Sequence, residues 1–219
     1  MSLPEDHARL APLVDQTEPP RPKTVRARHA ASIVVLRPRG DDPEMLMGMR
    51  GAKHRFMPNR LVFPGGAVDR ADLSAWSASE LAPHTLRHLR KAANERLARG
   101  LAIAAARELE EETGLSLGNP PRLDGIEYLC RAVTPPDSPI RFNARFLLVH
   151  ADRVSGALAG SGELENLRYY GMAEATALDL AMPTRLVIER LRIWLALSPD
   201  ERIAITHTAI LRRHSWRME

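Results

Sequence analysis

The chain has 219 residues, enough for one ordinary domain with added segments or for two very small ones. Hydrophobic residues make up 44% and charged residues 26%, as in globular chains, and without an apolar run of eighteen or more residues no membrane-spanning helix is expected. With 31 Lys and Arg against 27 Asp and Glu, the net charge of +4 suits a phosphate-bearing substrate and falls short of a dedicated nucleic-acid binder.

Residues 1–27 carry Pro4, Pro12, Pro19, Pro20 and Pro22 among charges, with no periodic apolar face, and read as a flexible arm. Met1 to Asp15 has no apolar core of a secretory signal, and Cys130 alone cannot form an intramolecular disulfide, so a reducing, cytoplasmic setting is expected. Ala31-Ser32-Ile33-Val34-Val35-Leu36 is a β-branched run suited to a buried strand. A turn from Arg39 to Pro43 leads to a second strand, Glu44 to Arg50. Leu61-Val62-Phe63 is a third apolar run, stopped by Pro64-Gly65-Gly66.

The middle of the chain is helical. Leu73 to Gly100 is rich in Ala, Leu, Arg and Glu, and Ser77 to Glu80 has capping-box spacing. A second helix is expected from Leu101 to Thr113, ending at Gly114, a residue suited to the left-handed position past a helix end. Strands follow at Gly125 to Val133, Arg141 to His150 and Leu167 to Met172. Helices are expected at Ala173 to Asp179 and at Thr184 to Leu197, where Leu191, Trp194 and Leu195 form a core stripe. Glu201 to Glu219 fits helix or strand equally. Strands on both sides of a helical centre argue for one α/β domain, a mixed sheet between helices, over residues 28–198. Within it lies a helical segment at about 73–99, and residues 199–219 form a C-terminal extension.

The chemistry concentrates in Arg107-Glu108-Leu109-Glu110-Glu111-Glu112-Thr113-Gly114-Leu115. On a helix, Glu108, Glu111 and Glu112 fall within a sector of about 100°, while Glu110 points away. Three carboxylates on one face repel one another unless a cation sits between them, and clustered hard oxygen ligands suit Mg²⁺ or Mn²⁺.

This segment resembles the second half of the Nudix box, R-E-U-x-E-E-x-G-U with U aliphatic, at every specified position. Phe63-Pro64-Gly65-Gly66 is similar to the turn that opens the box, with Asp72 where the family usually has Glu. Forty residues lie between Gly66 and Arg107, about 27 more than in the usual box, so the helical segment looks like an insertion. Arg50-Gly51, Arg55 and Phe56-Met57-Pro58 resemble the coenzyme A diphosphatase and peroxisomal-type branch, although Gly51 and Asn59 depart from its signature. Thr134-Pro135-Pro136 and Arg141-Phe142-Asn143 resemble a segment of that branch that reaches towards the site.

The resemblance implies a Nudix fold and a metal-dependent hydrolase of a phosphoanhydride bond, with coenzyme A or acyl-CoA as candidate substrates. An ADP-ribose or NADH pyrophosphatase and a non-catalytic nucleotide sensor are the alternatives. It implies Mg²⁺ or Mn²⁺ held by Glu108, Glu111, Glu112 and the backbone of Gly66. Arg107 would orient a glutamate, and Glu163 or Glu108 would act as general base. Arg50, Arg55 and Arg60 are candidate phosphate or ribose contacts. Arg87, Arg90, Lys91, Arg96 and Arg99 in the inserted segment form either a basic lid or a helix braced by pairs such as Lys91 with Glu95. The implied partner is a small pyrophosphate compound; a homodimer is common in the family, and neither membrane nor nucleic acid is expected.

Overall fold

The β-branched run forms strand β1 (Arg28–Arg37), and its alternate side chains separate into two cores. Ala31, Ile33 and Val35 pack with the helical middle of the chain, while Val34 and Leu36 pack with residues 187–194. The computed structural model describes residues 25–52, 57–213 and 215–219. Most of the arm expected at 1–27 lies outside these residues, as does Arg55.

After β1 come β2 (Glu44–Arg50), β3 (Leu61–Val62), β4 (Gly65–Ala67), α1 (Pro83–Arg90), α2 (Glu95–Thr113) and β5 (Leu115–Ser116). Next are β6 (Glu127–Val133), β7 (Phe142–His150), β8 (Ser155–Gly156) and β9 (Leu164–Gly171). The chain ends with α3 (Met172–Ala177), α4 (Met182–Leu195), α5 (Pro199–Ala204), β10 (Ala209–Arg212) and β11 (Ser215–Met218). The main sheet has the order β11-β10-β6-β7-β1-β2-β3, with β4 also on β1 and β9 on β2. The β1–β7 and β10–β6 pairs are parallel and the others antiparallel, so the sheet is mixed. One face carries α1 and α2, the other α3 and α4, which gives the expected sandwich of helices about a mixed sheet. Each fully buried Val, Ile or Leu on these faces contributes about 1.5–3 kcal/mol.

The helical boundaries differ from the sequence reading. The break falls at residues 91–94 instead of Gly100, because the Asn94 side chain accepts a hydrogen bond from Leu97 N at 2.9 Å and caps α2. Gly100 lies inside α2, where its missing side chain lets Leu73 pack against the helix. Ser77 to Glu80 caps nothing: Ser79 Oγ accepts from the Leu123 and Asp124 amides at 2.9 and 3.1 Å. Gly114 does end α2, at φ 73°. The stretch expected as an extension supplies helix α5 and two strands of the main sheet.

The inserted arginines mostly bind backbone. Arg87 donates to the carbonyl of Ile203 at 2.7 Å, Arg96 to that of Leu73 at 3.3 Å and Arg99 to that of Ala75 at 2.5 Å. Glu95 pairs with Arg90 at 3.7 Å, whereas Lys91 donates to the Glu219 carbonyl, so the expected Lys91–Glu95 pair is replaced.

His88, on the buried side of α1, stacks on Tyr128 with ring centroids 5.4 Å apart, and its Nδ1 lies 3.1 Å from Thr208 Oγ1. Burial, with nearby Arg87, His84, Lys91 and His207, pushes its pKa down to about 4. The folded state therefore keeps His88 neutral while the unfolded chain takes a proton as pH falls through about 6.5, so stability is lost between about pH 6.5 and 4. The loss attributable to this residue is at most about 3 kcal/mol. Denaturant titrations of His88→Phe should show a flatter pH dependence than wild type over that window; an unchanged slope would refute the assignment.

Candidate functional site

The turn before β4 sets the geometry of the site. β4 runs antiparallel to β1, with Gly65 opposite Ser32 and Gly66 opposite Ala31, and α2 packs against both strands. A Cβ on Gly66 would lie 2.3 Å from Glu108 Oε1, and one on Gly65 would lie 2.4 Å from the Ala31 carbonyl oxygen. Only glycine lets the carboxylates of α2 approach this turn so closely. The Gly65 amide donates to Glu112 Oε2 at 2.8 Å, tying helix to turn.

Arg107 is the hub beside them. Its Nε and Nη2 hold the two oxygens of Asp72 at 3.0 and 3.1 Å, a bidentate pair. Nη1 donates to Glu108 Oε1 and to Glu111 Oε2, both at 2.9 Å, and Nη2 also reaches the Ala67 carbonyl at 3.1 Å. Asp72, only 2% exposed, additionally accepts from the Asp69 amide at 2.7 Å. The shorter carboxylate at this position thus still fastens the loop after β4 to α2. The Asp72 pair, more than any other contact, holds the Arg107 guanidinium in its charged form.

Two carboxylates here resist ionisation. Burial pushes Glu112 up to about 7; the Gly65 amide and Arg50 oppose this, while Glu108 and Glu163 add repulsion. Glu108 is also raised, chiefly by burial, with Arg107 pulling it back. Crowded acids with depressed ionisation are what a cation would relieve.

Glu108 and Glu112 line a cavity of about 520 Å³. Gly65, Gly66, Glu163 and Arg50 line it as well. Arg50 Nε is buried and has no hydrogen-bond partner among the described residues. The rest of the wall is largely apolar, with Val62 at the end of β3 and Phe63 after it, Val133 at the end of β6 and Pro135 beyond it, and Phe142 and Phe146 of β7. Phe63 and Phe146 meet edge to face at 6.3 Å.

Of the residues singled out from sequence, Arg50, Gly66, Glu108, Glu112 and Glu163 come together in this cavity. Two do not. Glu111 lies outside the lining and is bound to Arg107. Arg60 faces Asp179, pairing with its carboxylate and donating to its carbonyl at 3.2 Å, because the loop before α4 brings that acid within reach. None of the inserted basic residues lines the cavity, so a basic lid is not formed.

Among the described residues no three His, Cys, Asp or Glu side chains converge as a ready-made metal cage. The donor chemistry nevertheless fits a hard divalent ion. Mg²⁺ commonly takes one or two carboxylates and completes its shell with water and substrate phosphate, and Glu108 with Glu112 offers such a pair beside the Gly66 backbone.

The sequence reading missed Arg28, Arg213 and the α4 start, Met182-Pro183-Thr184, all of which line the cavity. No local motif marks them. They arrive through pairings of strands distant in sequence, with Arg28 opposite Phe142, Val133 opposite Asn143 and Arg212 opposite Val133. Thr134, Pro135 and Phe142, singled out by resemblance, also stand in the wall.

No family model matches the sequence, and neither does any curated protein. Solved structures do resemble the fold. A Nudix hydrolase from Alicyclobacillus acidocaldarius superposes with a TM-score of 0.62 at 22% identity, covering 82% of this chain and 96% of that one. A MutT protein from Methanosarcina mazei Go1 gives 0.53 at 14% identity, over 78% of this chain and 96% of its own. A MutT Nudix hydrolase from Burkholderia pseudomallei gives 0.50 at 20% identity, over 76% and 99%. The chain has the fold of these Nudix hydrolases, a mixed sheet between helices.

Proposed function

We propose that this chain is a divalent-metal-dependent hydrolase that cleaves the phosphoanhydride bond of a nucleoside-diphosphate-linked small molecule. The observation that carries this reading is the convergence of Glu108 and Glu112 on the Gly65-Gly66 turn in the wall of a 520 Å³ cavity. The arrangement belongs to a fold shared with Nudix hydrolases, and fold alone does not assign chemistry.

Glu108 and Glu112, with the Gly66 backbone, would hold Mg²⁺ or Mn²⁺. Bound there, the ion supplies charge neutralisation at the phosphoryl oxygens and a more acidic water. Glu111 would join only after exchanging its Arg107 contact. Arg107 acts as a positioning residue: its fixed fork locks Glu108 to the Asp72 loop. Arg50, with a buried Nε that has no partner among the described residues, binds a phosphate oxygen. Attack forms a bond from water oxygen to phosphorus and breaks the bridging P–O bond, leaving two phosphorylated products. The water proton passes to a carboxylate. Glu163, exposed at the cavity, is the first candidate for that base, and Glu108 the second.

Coenzyme A or an acyl-CoA is the favoured substrate, since the apolar wall formed by Val62, Phe63 and Phe146 can cover an uncharged arm beyond the pyrophosphate. The test is product release from coenzyme A, acyl-CoA, ADP-ribose, NADH, diadenosine polyphosphates and nucleoside triphosphates with Mg²⁺ or Mn²⁺. Cleavage of coenzyme A compounds at the highest kcat/KM supports the full reading. Preference for ADP-ribose or NADH would retain the hydrolase and replace the substrate. Nucleotide binding without any cleavage would replace it with a sensor.

A further inference from the structure

The cavity carries charge of both signs. Besides the glutamates, Arg28 and Arg213 line it, and both are exposed. Neither side chain has a hydrogen bond or ion pair within the described residues. The neighbouring Arg212 does have a partner, Glu219 at 3.8 Å, and Arg131 also holds that carboxylate. Among the described residues Arg28 and Arg213 are therefore unpaired cations lining one cleft.

The strand register places them on one level of the sheet. Arg28 is opposite Phe142 of β7, the Thr134 amide donates to the Phe142 carbonyl at 2.9 Å, and Arg213 directly follows Arg212, the partner of Val133. Three strand spacings separate their backbones, about 14 Å. Phe142, Thr134 and Pro135 lie between them, a surface with one aromatic ring and one hydroxyl.

The backbone at Arg213 offers an independent observation. The connection from β10 to β11 has two residues, and Arg213 adopts φ 56° within it. A turn this short favours Asn or Gly at such a position, and L side chains rarely adopt this conformation. The hairpin thus holds a long cation at the cavity wall in a place where turn chemistry would choose a smaller residue.

We propose that Arg28 and Arg213 form a second anion subsite, which selects substrates carrying a phosphomonoester away from the pyrophosphate that is cleaved. The inference rests on the cavity being the substrate site. A ribose phosphate lying between Arg28 and Arg213 would meet both guanidiniums, and Val133 and Pro135 would lie beside the attached base. Charge-assisted contacts of this kind raise affinity by about 10- to 100-fold.

The experiment has two arms. In the first, calorimetry with Mn²⁺ present compares adenosine 3′,5′-bisphosphate and adenosine 2′,5′-bisphosphate with adenosine 5′-monophosphate, none of which contains an anhydride. In the second, kcat/KM is compared for coenzyme A against 3′-dephospho-coenzyme A and for NADPH against NADH. One or both bisphosphates should bind at least about tenfold tighter than the monophosphate. That preference should fall to about one in Arg28→Gln and in Arg213→Gly. Glycine suits the positive φ, so the thermal midpoint of Arg213→Gly should equal or exceed wild type, which separates lost recognition from lost folding. Equal binding of the three nucleotides by wild type, or a preference retained in both variants, overturns the subsite. Cleavage without discrimination overturns the subsite alone. Discrimination in binding without cleavage of either pair leaves the subsite standing and removes coenzyme A and NADPH as substrates.

Discussion

Replacing Glu112 by glutamine is expected to lower kcat/KM by about 10³-fold with Mg²⁺ or Mn²⁺ present, the scale of several kcal/mol of lost charge stabilisation. The same substitution should leave the thermal midpoint of chelator-treated protein unchanged or higher. The two effects have opposite sign because the carboxylate is 4% exposed, with one hydrogen bond to the Gly65 amide. A glutamine carbonyl can still accept that bond, and an amide requires less desolvation than a buried charge. A structural carboxylate would behave differently: its loss would lower stability and leave turnover of the folded fraction intact. Turnover of Glu112→Gln within tenfold of wild type at low Mg²⁺ would remove Glu112 from the metal-holding pair. Assays should span metal concentration, since a weakened ligand set shows first as a higher metal requirement.

The second large effect is expected at Arg107. Arg107→Ala leaves Asp72, 2% exposed, with only the Asp69 amide as partner among the described residues, and frees Glu108 and Glu111. Breaking a buried pair from one side costs about 3 kcal/mol or more, because the remaining charge stays desolvated. Chemical denaturation should show that loss as a lower midpoint. Folded Arg107→Ala should also lose about 10- to 100-fold in kcat, as Glu108 loses the group that orients it. Arg107→Lys keeps the charge but cannot span Asp72, Glu108 and the Ala67 carbonyl together, so activity should remain low while stability recovers in part. Arg107→Met combined with Asp72→Leu removes both charges and should recover most of the stability without recovering activity. If the double variant regained wild-type turnover, Arg107 would serve the fold alone.

What was legible in the sequence was local or periodic. The strand at 31–36 shows itself by β-branched residues, and the side chains of β1 alternate between the two cores as strand geometry requires. The end of α2 at Gly114 follows from glycine's access to left-handed backbone. Glu108, Glu111 and Glu112 could be placed on one helical face from their spacing, because helical geometry fixes direction over one turn.

Tertiary structure decided how those carboxylates divide. Glu108 and Glu112 face the cavity, whereas Glu111 is drawn to Arg107, whose position depends on Asp72, distant in sequence. The break between α1 and α2 was misread because Asn94 supplies the cap while Gly100 is needed for contact with Leu73. Arginines were the least legible residues: a long cation with several donors finds its partner through the fold, not its neighbours. Arg60 found Asp179, and the buried Arg145 found the carbonyls of Asn143 and Ala92, both at 2.8 Å. Arg213 reached the cavity wall because β10 pairs with β6, nearly eighty residues earlier. The sequence by itself determined the helix that carries the acids and the turn that meets it. The cavity's far wall depended on non-local strand pairing, which hydrophobic alternation permits but does not uniquely select.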